Sequence, residues 1–107
     1  MTTKAMFVLH RRADMGWDEF DKYWRDVHGP IAAKLPGLRK FVQHHAIPAA
    51  TPEGRPCDGI AELWFDSPEA LQAGLASPEG AATLADIPNF LDGTKTGMIV
   101  VEDVQVV

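Results

Sequence analysis

The run Phe20-Asp21-Lys22-Tyr23-Trp24-Arg25-Asp26-Val27-His28-Gly29-Pro30 sets one imidazole a turn after a tryptophan and directly before a Gly-Pro pair. At about 100° per residue, Trp17, Phe20, Trp24, Val27, Ile31 and Leu35 fall on one helical stripe, with His28 inside its edge. His28 should therefore face packed protein or a cavity. Pro30 has no N–H to offer the carbonyl of Asp26, and Gly29, as the residue before proline, is biased away from the helical region. The helix is expected to kink or end there. Two readings of His28 stand: a core histidine satisfied by a carbonyl freed at the kink, or a general acid or base held in one protonation state by half-burial.

The elements that must position this residue follow from punctuation and alternation. Lys4 to His10 reads as a first strand, closed by Arg11, Arg12 and the turn-like Asp14-Met15-Gly16. Gly16 is an acceptable N-cap, and Asp18 and Glu19 complement the dipole of a helix from Trp17 to Lys34. Pro36 and Gly37 stop it. Leu38 to His45 and Asp58 to Phe65 read as strands two and three, separated by a loop over 46–57 holding Pro48, Pro52, Gly54 and Pro56. Ser67-Pro68-Glu69 opens a second helix to Ala76, Ser77-Pro78-Glu79 a short third toward Asp86, and Thr94 to Glu102 reads as strand four. The order β-α-β-β-α-β is that of an α+β, ferredoxin-like fold, a four-stranded antiparallel sheet with helices on one face.

Strand three shows what the other face carries. Ala61, Leu63 and Phe65 suit the helices, whereas Ile60, Glu62 and Trp64 project from the opposite side. Two such sheets face to face in a homodimer would enclose a barrel lumen lined by those residues. Glu62, desolvated beside Trp64, would have a raised pKa and act as proton donor to a His28 reaction; its alternative is an ion pair with Arg11 or Arg39. His45 ends strand two on the face of Phe41 and Gln43 and is expected to line the same lumen. Trp24, Phe41, Trp64 and Met98 would shape a cavity for a small hydrophobic, aromatic or lactone-like molecule.

Composition narrows the classes. A chain of 107 residues forms one domain, 1–107, and its net charge of −5 argues against nucleic acid and anionic membranes, which need a basic surface. Cys57 is the only cysteine, so no internal disulfide forms. No G-x-G-x-x-G follows a strand, so no nucleotide cofactor is expected. No metal is expected either: the adjacent His44 and His45 should point to opposite faces of a strand. No serine occupies a nucleophile elbow and Cys57 lies in a Pro-rich loop. The first residues lack the blocks of a signal peptide, and no apolar run reaches the roughly 18 residues needed to span a bilayer. A cytoplasmic location is expected.

The pattern F-x-x-Y-W-x-x-x-H-G-P, then L-P-G-L-x-x-F-V-Q-x-H, the strand Asp58-Gly59-Ile60-Ala61-Glu62-Leu63-Trp64-Phe65 and the D-I-P-N-F-L-D of Asp86 through Asp92 together resemble the EthD family of dimeric α/β-barrel proteins. The resemblance implies the ferredoxin-like fold, a homodimer, and relatives that include muconolactone-type isomerases, polyketide cyclases or dehydratases and cofactor-independent monooxygenases. Carried over residue by residue, it favours His28 as the reactive group, with Tyr23 and Trp24 matching the family's Tyr-Trp pair. It also implies that Asp86 orders His28 or closes the pocket, which Phe90 of the same stretch would help line. The function expected is a cofactor-independent isomerase, cyclase or dehydratase using His28 and Glu62; the alternatives are a non-catalytic ligand-binding protein and a cofactor-free monooxygenase.

Overall fold

Alternation along the strands decides which side of the sheet becomes the core. In the computed structural model, which describes residues 2–50 and 54–107, β1 (Thr3–Leu9), β2 (Lys40–His45), β3 (Gly59–Phe65) and β4 (Gly97–Val101) form one antiparallel sheet in the order β2-β3-β1-β4. Ala5 and Leu9 of β1 and Ala61, Leu63 and Phe65 of β3 are buried, as the alternation of β3 predicts. They pack with Phe20, Trp24, Leu35, Leu71, Phe90 and Leu91 in a single core between sheet and helices. Pro52, assigned to the loop before β3, lies outside the described residues.

The strands are shorter than the apolar runs suggest at two places. Leu38 sits in a turn, its N–H donating to the Leu35 carbonyl after Gly37 adopts φ +79°, so β2 begins at Lys40. Thr94 to Thr96 are also held in a turn. Asp92 accepts the Thr94 N–H and O–H on its carboxylate and the Lys95 and Thr96 N–H groups on its carbonyl, which delays β4 to Gly97.

Helices α3 (Pro68–Ala76) and α4 (Pro78–Asp86) have the bounds read from the two Ser-Pro-Glu starts. Ser67 Oγ accepts the Ala70 N–H and Ser77 Oγ the Gly80 N–H, each at 3.0 Å. The first helical stretch differs from expectation. It runs through α1 (Trp17–Tyr23), a π-segment Trp24–His28 and α2 (Gly29–Ala32), without stopping at the Gly-Pro pair. Gly29 is helical (φ −53°, ψ −52°), and its N–H reaches back five residues to the Trp24 carbonyl. The wider turn gives the Pro30 ring room that an α-turn denies it. It also rotates the stripe: Val27, expected inside, is 41% exposed, whereas His28 is 8% exposed.

One glycine fixes how deep the helix seats. A Cβ on Gly59 would lie 2.5 Å from Trp24 Cζ3, so the indole occupies the space a side chain on β3 would need. Gly59→Ala is expected to destabilise the protein by about 1–3 kcal/mol through overpacking, read as a lower urea midpoint. Coupling to Trp24→Phe in a double-mutant cycle should recover part of the loss; a neutral Gly59→Ala would refute this packing.

Candidate active site

The π-segment delivers His28 to α4. His28 Nδ1 lies 2.8 Å from Asp86 Oδ2, both side chains about nine-tenths buried. Asp86 Oδ1 accepts the Tyr23 hydroxyl at 2.5 Å and the Asn89 amide at 3.0 Å. Three donors therefore converge on one carboxylate. Burial alone would push the Asp86 carboxyl up, but Tyr23, Asn89 and His28 outweigh it and hold its pKa below the usual carboxylate value. The Tyr23 hydroxyl is correspondingly pushed up by its bond to Asp86 and stays a donor.

For His28, burial dominates and lowers the pKa, with Asp86 opposing it. The result is a neutral ring. Because Asp86 is an ionised acceptor, the proton belongs on Nδ1 and the lone pair on Nε2. Nε2 makes no hydrogen bond to a described residue, and His28 lines an internal cavity. The imidazole thus has one nitrogen committed to a carboxylate and the other without a bond to a described residue, on a ring that lines an apolar cavity.

The cavity lies between helices and sheet, within one protomer. Its walls include Phe7, Leu9, Trp24, Phe41, Leu63 and Leu84, and Thr83 and Thr96 supply the hydroxyl-bearing side chains. Its free volume is about 40 Å³, room for about three waters. Phe90 is fully buried behind the site: its ring centroid is 4.7 Å from His28 and 5.2 Å from Tyr23. It packs against the His28 and Tyr23 rings and does not line the void.

This placement corrects the barrel-lumen reading. Pairing of Phe41 with Leu63 and of His45 with Gly59 puts Phe41, Gln43 and His45 on the helix side, opposite Glu62 and Trp64. Only Phe41 of these reaches the cavity. His45 instead bonds Asp21 through Nδ1 and Gln43 Oε1 through Nε2 at 2.8 Å, its ring 4.2 Å from that of Trp24.

Glu62 is not a partner of His28, because the sheet separates them. Across the outer face Glu62 accepts from Lys4 Nζ at 2.9 Å and lies 2.7 Å from His44 Nε2; these bonds, His44 first, lower its pKa where a raised one was expected. Arg11 and Arg39, the partners considered for it, pair with Asp58 and Asp66. Trp64 lies beneath the ammonium groups of Lys4 and Lys40, at 5.0 and 4.8 Å. Met98 pairs with Phe7 and shares its face, but it is 44% exposed on the edge strand and outside the cavity wall. Among the described residues no group of three His, Cys, Asp or Glu side chains is placed to hold a metal ion, and no helix is long and apolar enough to cross a membrane.

A family model for the EthD domain matches residues 12–94 of the chain. The chain belongs to the EthD family. Its Asp86–His28 pair and Tyr23 lie inside the matched span. This EthD chain is 29% identical over 86 residues to an uncharacterized 11.0 kDa protein of the thcB–thcC intergenic region of Rhodococcus erythropolis, a match covering 78% of this chain and 81% of that one. The crystal structure of an ethyl tert-butyl ether D family protein from Bacillus halodurans C-125 is similar with a TM-score of 0.81 and 25% identity, covering 97% of this chain and all of that one. The EthD fold is shared more distantly with SnoaB, a cofactor-independent oxygenase from Streptomyces nogalater, at a TM-score of 0.61 and 13% identity over 98% of this chain and 93% of that one.

The lowered pKa values of His28 and Asp86 act on stability in the same direction. Both folded-state values lie below the unfolded ones, so the unfolded chain binds the extra proton and stability falls as pH falls. The His28 contribution is complete above its ordinary value near 6.5 and is lost below it; that of Asp86 is lost below about 3.8. Urea midpoints should therefore drop between pH 7.5 and pH 5, and His28→Gln should flatten that part of the profile. An unchanged profile in the variant would mean that His28 is not the group titrating.

Proposed function

We propose that this EthD protein is an acid–base catalyst of the isomerase, cyclase or dehydratase type, acting on a small, neutral, largely apolar molecule without help from a bound cofactor. The observation that carries the reading is the neutral His28 imidazole, its Nδ1–H committed to Asp86 and its Nε2 open to an apolar cavity. Nε2 takes a proton from a carbon or hydroxyl acid of the substrate. Asp86 then stabilises the imidazolium, and Tyr23 and Asn89 hold Asp86 in place. His28 returns the proton to another carbon of the substrate in an isomerisation, or to the departing hydroxyl, which leaves as water, in a dehydration. A substrate carboxylate is disfavoured, since among the described residues no cationic side chain lines the cavity to receive it.

A second reading uses the same base. Nε2 would deprotonate an electron-rich phenol whose anion then reacts with dioxygen, and the shared fold of a cofactor-independent oxygenase favours it. Oxygen uptake with a quinol or anthrone-like compound separates the two. We further propose that the protein is a homodimer joined through the outer sheet face. There Met6, Val8, Val42, Ile60 and Trp64 surround the Lys4–Glu62–His44 cluster, and Ile99 of the edge strand is 57% exposed. The cavity itself is complete within one protomer.

On a substrate found by screening neutral aromatic and lactone-like compounds, His28→Ala should cost about 10²–10⁴-fold in turnover while circular dichroism stays native. Asp86→Asn should lower kcat, and Glu62→Gln should leave it unchanged. Full activity of His28→Ala, or ligand binding with no turnover of any compound, would remove the catalytic reading. Sedimentation at micromolar concentration should give a dimer; a stable monomer would overturn that assignment.

A further inference from the structure

Another histidine–carboxylate pair, His45 with Asp21, packs against Trp24 of the π-segment, and its hydrogen bonds leave little freedom. Gln43 Nε2 donates to the Trp24 carbonyl at 3.0 Å. That oxygen only accepts, so the nitrogen end of the amide must face it, and Gln43 Oε1 is left facing His45 Nε2 at 2.8 Å. His45 Nε2 must therefore carry a proton. The other ring nitrogen, Nδ1, meets the carboxylate of Asp21, which Arg25 also pairs at 3.2 Å. Two acceptors, one at each nitrogen, make His45 a double donor, an imidazolium on the Asp21 carboxylate. The Trp24 ring lies against it, at a centroid distance suited to cation–π attraction.

The end of this chain of bonds is the carbonyl that defines the π-turn. The Trp24 carbonyl accepts the Gly29 N–H five residues on and the Gln43 amide as well. In an α-turn it would accept from His28 instead. A Cβ on Gly29 would lie 3.0 Å from Gln43 Nε2, so the residue before Pro30 is also the one small enough to admit this bond. Among the described residues the charged partner of His45 is Asp21 from α1, which Arg25 of the π-segment also pairs, and Gly59 of β3 lies opposite it in the register.

We propose that Asp21, His45 and Gln43 form a proton-dependent clamp on the Trp24 carbonyl that sets the π-segment and so positions His28 Nε2 in its cavity. His45 and Gln43 are positioning residues, neither of which touches the cavity. When His45 loses its Nε2 proton, two lone pairs face each other across that contact, the amide must turn, and the Trp24 carbonyl loses its second donor. The clamp deepens the reading of His28 as the base, but it stands or falls on structure alone.

The test is an NMR titration of the full-length protein, with no substrate present. His45 ring resonances, the Trp24 carbonyl carbon, the Gly29 amide nitrogen and the His28 ring are followed together over the whole pH range in which the protein stays folded. In the native chain the Trp24, Gly29 and His28 signals should show a transition sharing the His45 midpoint, whatever that midpoint is, in addition to the protonation of His28 itself. Gln43→Leu should abolish the shared transition while His45 still titrates. Gln43→Glu keeps the side-chain length and the oxygen facing His45 but removes the amide donor, so it should abolish the transition too, and it covers the case in which the leucine variant fails to fold. Signals at Trp24 and Gly29 that ignore the His45 titration, or a shared transition that persists at full amplitude in either folded variant, would overturn the clamp. Failure of His28 to catalyse any reaction would leave these signals untouched, so the two readings fail separately.

Discussion

The missing N–H of Pro30 governs the site. A helix that meets proline either ends, kinks or changes its hydrogen-bond register, and this one changes register over Trp24–His28. In the new register the Trp24 carbonyl accepts the Gly29 N–H and gains a second donor in the side-chain amide of Gln43. The consequence is large: the five-residue turn points His28 at α4 and turns Val27 to solvent. An unbroken α-helix would place both near the margin of the apolar stripe and hold neither firmly against Asp86.

Asp86 is the second fixed point, and its three donors come from three places. Tyr23 ends α1, His28 ends the π-segment, and Asn89 closes the 3₁₀ turn Ile87–Asn89 after α4. One buried carboxylate thus ties the first helical stretch to the last, through the same bonds that fix the imidazole tautomer. Replacing this carboxylate by an apolar group would leave a buried hydroxyl and a buried ring N–H unpaired, each at a cost of about 1–3 kcal/mol. Site and scaffold are therefore inseparable here.

What could be read from the sequence was local. The Ser-Pro-Glu starts name their own helices, because the cap and the proline act within one turn, and the alternation of β3 names its buried face without reference to any partner. The importance of the Phe20–Pro30 run is likewise visible from residue types and spacing. The misplacements all needed register between elements. Phe41 and His45 join the lumen only if β2 is slid by one residue against β3; the pairing of Phe41 with Leu63 places them on the other side. Glu62 was legible as a desolvated carboxylate, but Lys4 and His44, two strands on either side of it, were not. Asp86 stood at a helix terminus where a solvated aspartate is the usual outcome, and only the docking of α4 against the π-segment buries it. The π-turn has no distinct composition. A proline preceded by a residue that fits under an amide is the nearest thing to a signal.

The void beside His28 is closed on its outer side by a helix that is fastened at both ends. Ser77 ties the start of α4 to α3, donating to the Gly74 carbonyl at 2.6 Å, and Gly80 comes so near the α3 backbone that a Cβ would lie 2.2 Å from the Leu75 carbonyl oxygen. Asp86 ties its end. Leu84 stands between these anchors, half in the cavity wall and half in solvent. A guest larger than a few waters would need this wall to give, and with both ends of α4 tied that give falls on its middle, around Leu84. The width of the space beside His28 is thus set by how firmly two short ties, at Ser77 and at Asp86, hold one helix.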